Sequence, residues 1–156
     1  MEERINTLFK KYDSGYRTTT NKSGEHEWWS SNSVIWFHIS PTDNRAYLSV
    51  GIAGPDTIWP AIRIDQREYE LTEKDLEEGA QLLELYLKHL HDLYVFRCFK
   101  KFLMWTRWEY IPLLKDNDNY YEITDGQIEI LDHLQPYTVK SPVLTHHLCN
   151  QKKQAS

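Results

Sequence analysis

Cysteine is scarce in this chain. Cys98 and Cys149 are the two among 156 residues, far apart and in no metal or redox motif. They read as two free thiols in a reducing compartment. Glycine is also scarce, at six residues. "GIAGPD" has too few glycines, and no following lysine, for a phosphate-binding loop. No G-x-S-x-G elbow offers a serine nucleophile. No apolar run approaches the length of a membrane span. The N-terminus, "MEERINTLFKKYDSGY", is charged from its second residue and lacks a signal-peptide apolar region. A cytoplasmic location is the expectation.

A basic excess is lacking as well. Eighteen Lys and Arg stand against 23 Asp and Glu, a formal net charge of −5. That disfavours general adhesion to nucleic acid or to an anionic membrane, so neither is an expected partner. It leaves room for a local basic patch. Metal-ligand spacing is missing too. His89 and His91 are two apart, and a helix would point them in different directions. "DNDNYYE" resembles half of a calcium loop, but Tyr120 and Tyr121 stand where Asp or Asn and then Gly are needed. No cofactor and no metal are expected.

What the chain has is aromatic side chains: six Trp, ten Tyr and five Phe. Such rings build cores, and they also anchor interfaces because they bury much area with few rotors. Forty per cent apolar residues suffices for a core at this length. The expected architecture is α+β: an antiparallel sheet, with an N-terminal three-strand meander and a C-terminal hairpin, packed against two or three helices. Residues 1–138 form the expected single domain, and 139–156 a flexible polar tail.

Arg4 to Tyr12 reads as a short amphipathic helix, and "DSGYRTTTNKSGEHE" as a loop. Val34 to Ile39 and Arg45 to Ala53 alternate as strands around the turn "SPTDN". Ile58 to Ile64 reads as a third strand, at an edge because of Pro60. Thr72 is the N-cap of the clearest helix, with Asp75 in the capping-box position. Leu76, Ala80, Leu83, Leu87, Leu90 and Tyr94 form its core-facing stripe. The pattern runs on to Trp108, but one helix over 73–108 would be roughly 54 Å long at ~1.5 Å per residue. A domain of this size is only about 40 Å across. A break near His91 and Asp92 and a second, central helix over 93–107 are therefore expected. "YYEITDGQIEIL" reads as a hairpin around Asp125–Gly126, with a short helix over 125–134 as the competing reading. The hairpin sets Tyr121 opposite Ile130 and Glu122 opposite Glu129.

Two surfaces emerge as candidates. One strand face is aliphatic (Ile35, Phe37, Ile39). The other carries Trp36, His38, Arg45 and Tyr47, with Trp59 and Arg63 from the third strand. It is either covered by a helix or a ligand-binding face. The second candidate is acidic. Asp65 to Glu84 holds eight acids against two cations, and Lys115 to Asp132 six against one. Brought together, Asp65, Glu68, Glu70, Asp116, Asp118, Tyr120, Glu122 and Glu129 would hold a basic protein surface. Val95 to Trp108 is the opposite: four cations and no acid, interleaved with Phe and Trp.

These features favour a protein-binding module over an enzyme. The leading reading is an acidic inhibitor or immunity-type protein that neutralises a basic partner such as a toxin or nuclease. The alternatives are a small-molecule or nucleotide-binding domain, even an enzyme, using the aromatic face, and a self-associating structural or regulatory domain.

Overall fold

A computed structural model describes residues 1–52, 62–123, 136–137 and 145–146. The fold is α+β. Two helices and ten strands follow the order α1 (Glu2–Tyr12), β1 (Arg17–Thr20), β2 (His26–Trp29), β3 (Ile35–Ser40), β4 (Arg45–Ile52), β5 (Ile62–Glu70), α2 (Glu73–Lys88), β6 (Leu93–Phe102), β7 (Trp105–Asp116), β8 (Asn119–Glu122), β9 (Pro136–Tyr137) and β10 (Thr145–His146). They form two compact units, Met1–Gly51 with Arg63–Leu90, and Ile52–Ile62 with His91–Ser156. No helix among the described residues is long and apolar enough to cross a membrane.

In the first unit, β1 to β5 form a five-stranded sheet in sequence order. Register is set by burying every second residue. Trp28 pairs with Phe37, Phe37 with Leu48, and Ile35 with Val50. These five side chains are fully buried. The helices lie over that face. Ile5, Leu8 and Phe9 are the buried side of α1, and the Asn6 side-chain Oδ1 accepts the Trp28 indole N–H at 2.7 Å. The buried side of α2 is Gly79, Ala80, Leu82, Leu83, Tyr86 and Leu87, wider than the expected stripe. A Cβ on Gly79 would sit 3.1 Å from the Tyr69 ring, so the missing side chain lets helix and strand approach closely.

Local chemistry explains the element ends. Glu2 and Glu3 open α1 and Lys10 and Lys11 close it, matching the helix dipole. Thr72 caps α2 as expected: its Oγ1 accepts from the Asp75 N–H at 3.2 Å. The Asp75 carboxylate does not complete a capping box; it accepts from the Glu70 N–H instead, at 3.2 Å. The stretch expected as a loop before β3 contains a hairpin, β1–β2. Three consecutive β-branched threonines favour extension. Asn21 closes the turn, its Oδ1 accepting from the Ser23 and Glu25 N–H groups at 3.0 Å each.

In the second unit the sheet order is β10-β6-β7-β8-β9. The expected central helix over 93–107 is corrected: these residues lie in β6 and β7, an antiparallel hairpin. The stretch is apolar on every side and lacks a 3.6 period, and Phe, Trp, Tyr, Val and Thr favour strands. Cys98, read as helical, sits in β6 opposite Glu109. "KDNDN" is a two-residue hairpin turn in which Asp116 pairs with Asn119. Asn117 takes the positive φ of 56° that the turn requires. Tyr121 pairs with Leu114 on one side and Pro136 on the other; Ile130, its expected partner, lies outside the described residues. The turn expected at Asp125–Gly126 falls outside the described residues, as does most of the third-strand stretch around Pro60. The segment read as a polar tail contributes β10, where Thr145 and His146 pair with Phe96 and Val95.

Candidate functional site: an aromatic sheet face with an acidic rim

Alternation fixes what the first sheet presents opposite its helices. In "EHEWWSSNSVIWFHIS" Trp28 and Phe37 point into the core. Trp29, Trp36 and His38 point the other way and are half-buried. Trp36, His38 and Tyr47 form one cluster. The Trp36 and Tyr47 rings are nearly parallel, at 15° and 6.4 Å between centroids. His38 lies 5.3 Å from Trp36 and 5.8 Å from Tyr47. Arg17, from β1, reaches to 6.0 Å above the Trp29 ring.

Carboxylates rim the rings. His38 Nε2 is 2.9 Å from Glu25 Oε2, and Nδ1 is 4.0 Å from Glu27 Oε1. Ser40 donates to the other oxygen of Glu25 at 2.8 Å. Burial pushes the Glu25 carboxyl up, but hydrogen bonds from Ser40, Thr42 and His38 outweigh it and leave the pKa below its ordinary value. Burial raises the Tyr47 phenol, and Asp43 and Glu68 raise it further. Its hydroxyl donates to Asp43 at 3.3 Å. Across β4 and β5, Arg45 meets Glu68 at 3.2 Å and Glu70 at 3.3 Å. A depression of about 390 Å³ opens here, lined by Arg45, Glu68, Tyr69, Glu70 and Asp75.

The residues expected on this face divide three ways. Trp36, His38, Arg45 and Tyr47 come together. Arg63 is exposed, but by alternation it shares the side of Asp65 and Arg67. Trp59 lies outside the described residues. The expected acidic set divides too. Asp65 is not a surface carboxylate: it is 6% exposed, and accepts from the Tyr86 hydroxyl at 2.6 Å and Arg67 Nε at 2.9 Å. A buried carboxylate with two donors is a structural group. Glu68 and Glu70 are exposed on the aromatic side. Asp116 and Asp118 are exposed at the β7–β8 turn, and Tyr120 and Glu122 are half-buried in β8. There Lys115 Nζ lies 5.8 Å from the Tyr120 ring and 5.9 Å from that of Tyr94. Glu129 is outside the described residues. Part of the negative charge on α2 meets the chain's own cations, Glu77 with Arg4 and Glu84 with Lys88.

Sequence reasoning did not assign Trp29 to the face, and it left Glu25 and Glu27, in a segment read as a loop, without a fixed place beside His38. The alternation in "HEWW" was the available signal. Comparison with protein-family models, with curated proteins and with solved structures found no match.

Proposed function

We propose that this chain is a cytoplasmic protein-binding module, an inhibitor or immunity-type protein that neutralises a basic partner such as a toxin or nuclease. Its partner docks on the open face of the first sheet. The observation that carries the reading is one juxtaposition: a row of half-buried rings, Trp36, His38 and Tyr47, on the strand face that also carries Arg45, which with Glu68, Glu70 and Asp75 lines a depression. Rings with few rotors supply anchoring area, and surrounding carboxylates supply orientation and rate of encounter. The depression has room for the head of a lysine or arginine. Arg45 does not close it, because exposed ion pairs hold their partners weakly, and the Glu68 and Glu70 side chains are 61% and 65% exposed.

The test is affinity capture with the full chain as bait, followed by titration of what is captured. A basic protein is expected, bound less tightly as salt rises. Trp36→Ala should weaken it at least about tenfold, as an anchor residue would. The Glu68→Lys, Glu70→Lys double variant should slow association. A captured partner that binds both variants as tightly as the parent chain would refute this site.

A further inference from the structure

The second unit carries a feature that the open face does not use. β10 reaches along β6 only to Val95 and Phe96, and β8 along β7 only to Leu113–Asp116. Between those limits and the turn, Arg97–Phe102 and Trp105–Tyr110 pair, among the described residues, with each other alone. The described residues there form a two-stranded ribbon about 20 Å long at ~3.3 Å per residue. Ribbons of two strands are marginal in water and need something to pack on.

The tip of this ribbon is apolar and bare. Leu103 is 78% exposed, Met104 96% and Trp105 76%. Three consecutive large apolar side chains at a turn are the reverse of ordinary turn chemistry. The same unit shows that chemistry at its other two-residue turn, where Asn117 takes φ 56°. At the ribbon tip the corresponding residue is Leu103, held at φ 53°. A leucine with positive φ is strained where asparagine or glycine would not be, and such strain gathers at functional positions. The charge beside the tip is of one sign. Lys100 pairs in register with Arg107, and Lys101 with Thr106. That puts the backbones of three basic residues within roughly 10 Å of the turn at ~3.3 Å per residue. From Leu93 to Trp108 there is no acid.

We propose that the β6–β7 tip inserts into the surface of an anionic phospholipid bilayer. Leu103, Met104 and Trp105 enter the boundary between headgroups and acyl chains. Lys100, Lys101 and Arg107 lie at the depth of the lipid phosphates. Interfacial elements bury apolar side chains about 5–10 Å deep. Tryptophan favours that layer, and anionic lipid draws in each nearby Lys or Arg. The net charge of −5 works against adhesion by the whole surface, but basic residues gathered near one exposed turn act within a Debye length of the lipid. Contact of this kind needs no spanning helix. Base edges would have to be read by donors and acceptors, which leucine and methionine lack. The proposal is independent of the open-face reading.

The experiment is co-sedimentation of the full chain with phosphatidylcholine vesicles, with and without phosphatidylserine. Brominated acyl chains serve as quenchers of tryptophan emission. Binding to the serine-containing vesicles, quenching, and weakening by salt are expected. The key variant is Leu103→Asn, Met104→Gly, Trp105→Thr. It removes the apolar tip and installs a favoured turn, so it should melt no lower than the parent chain and lose the vesicles. Lys100→Gln, Lys101→Gln, Arg107→Gln should bind about a hundredfold more weakly, each cation contributing about 1 kcal/mol. The proposal is overturned by failure to partition onto serine-containing vesicles, or by a tip variant that binds them equally. Tip-dependent binding to a nucleic-acid duplex, or tip-dependent self-association, in place of vesicle binding overturns it as well.

Discussion

The two sheets handle aromatic side chains in opposite ways. In the first, every strand is tied to a neighbour, and one face is closed by α1 and α2. Trp28 and Phe37 vanish into that closed face, while Trp29, Trp36 and Tyr47 stay on the other. In the second, among the described residues, β6 and β7 extend past their neighbours, and Trp105 at the turn is 76% exposed. A covered face converts ring area into stability. An exposed turn leaves the same area in water. Ring content alone therefore says little; support from adjacent elements decides whether a tryptophan stabilises the fold or is left to bind.

The sharpest way to break this comparison is a pair of truncations. Trp28→Ala removes a fully buried indole and its hydrogen bond to Asn6, and should cost about 3–5 kcal/mol in urea denaturation. Trp105→Ala, at 76% exposure, should change stability by less than about 0.5 kcal/mol. Similar losses from both would mean that the ribbon tip is packed in solution. A smaller effect is expected at the sheet–helix contact. Asp65→Ala deletes a buried acceptor that meets Tyr86 and Arg67, and calorimetry should show a loss of about 2 kcal/mol. Smaller again, Thr72→Ala should cost about 1 kcal/mol through the lost N-cap of α2, with the far-ultraviolet helix signal reduced.

The smallest effect sits on the open face and depends on pH. The folded pKa of Glu25 lies below its unfolded value. Its contribution is therefore present above the ordinary carboxylate pKa and is lost as pH falls through the folded value. Thermal melts of Glu25→Gln should lie closer to those of the parent chain in acid than at neutral pH. A gap between the two that does not narrow in acid would show that the Ser40 and His38 contacts do not favour the charged form.

Much of the first unit was legible in the residues. The alternation of "RAYLSVGIA" gave β4 its faces, and the α2 cap followed from Thr72. The face carrying Trp36, His38, Arg45 and Tyr47 followed from period two. What failed did so for physical reasons. "RTTT" is short and polar, so only pairing with β2 makes it a strand. The segment 93–107 has large apolar residues in every phase, and such a run is ambiguous until its partner strand is known. Asp65 looked like one of eight acids, because nothing local reveals that alternation turns it towards Tyr86. The rim formed by Glu25 and Glu27 required the β2–β3 register, a contact that the linear pattern does not announce.

Alternation at Trp28–Trp29 has a practical consequence. Two indoles joined by one peptide bond occupy opposite sides of a sheet. Retained singly, with the other tryptophans replaced by phenylalanine, each becomes a spectroscopic probe of a separate event. Emission from Trp28 follows the loosening of the core under denaturant. Quenching of Trp29 by iodide reports whether the aromatic face is shielded when a candidate partner is added.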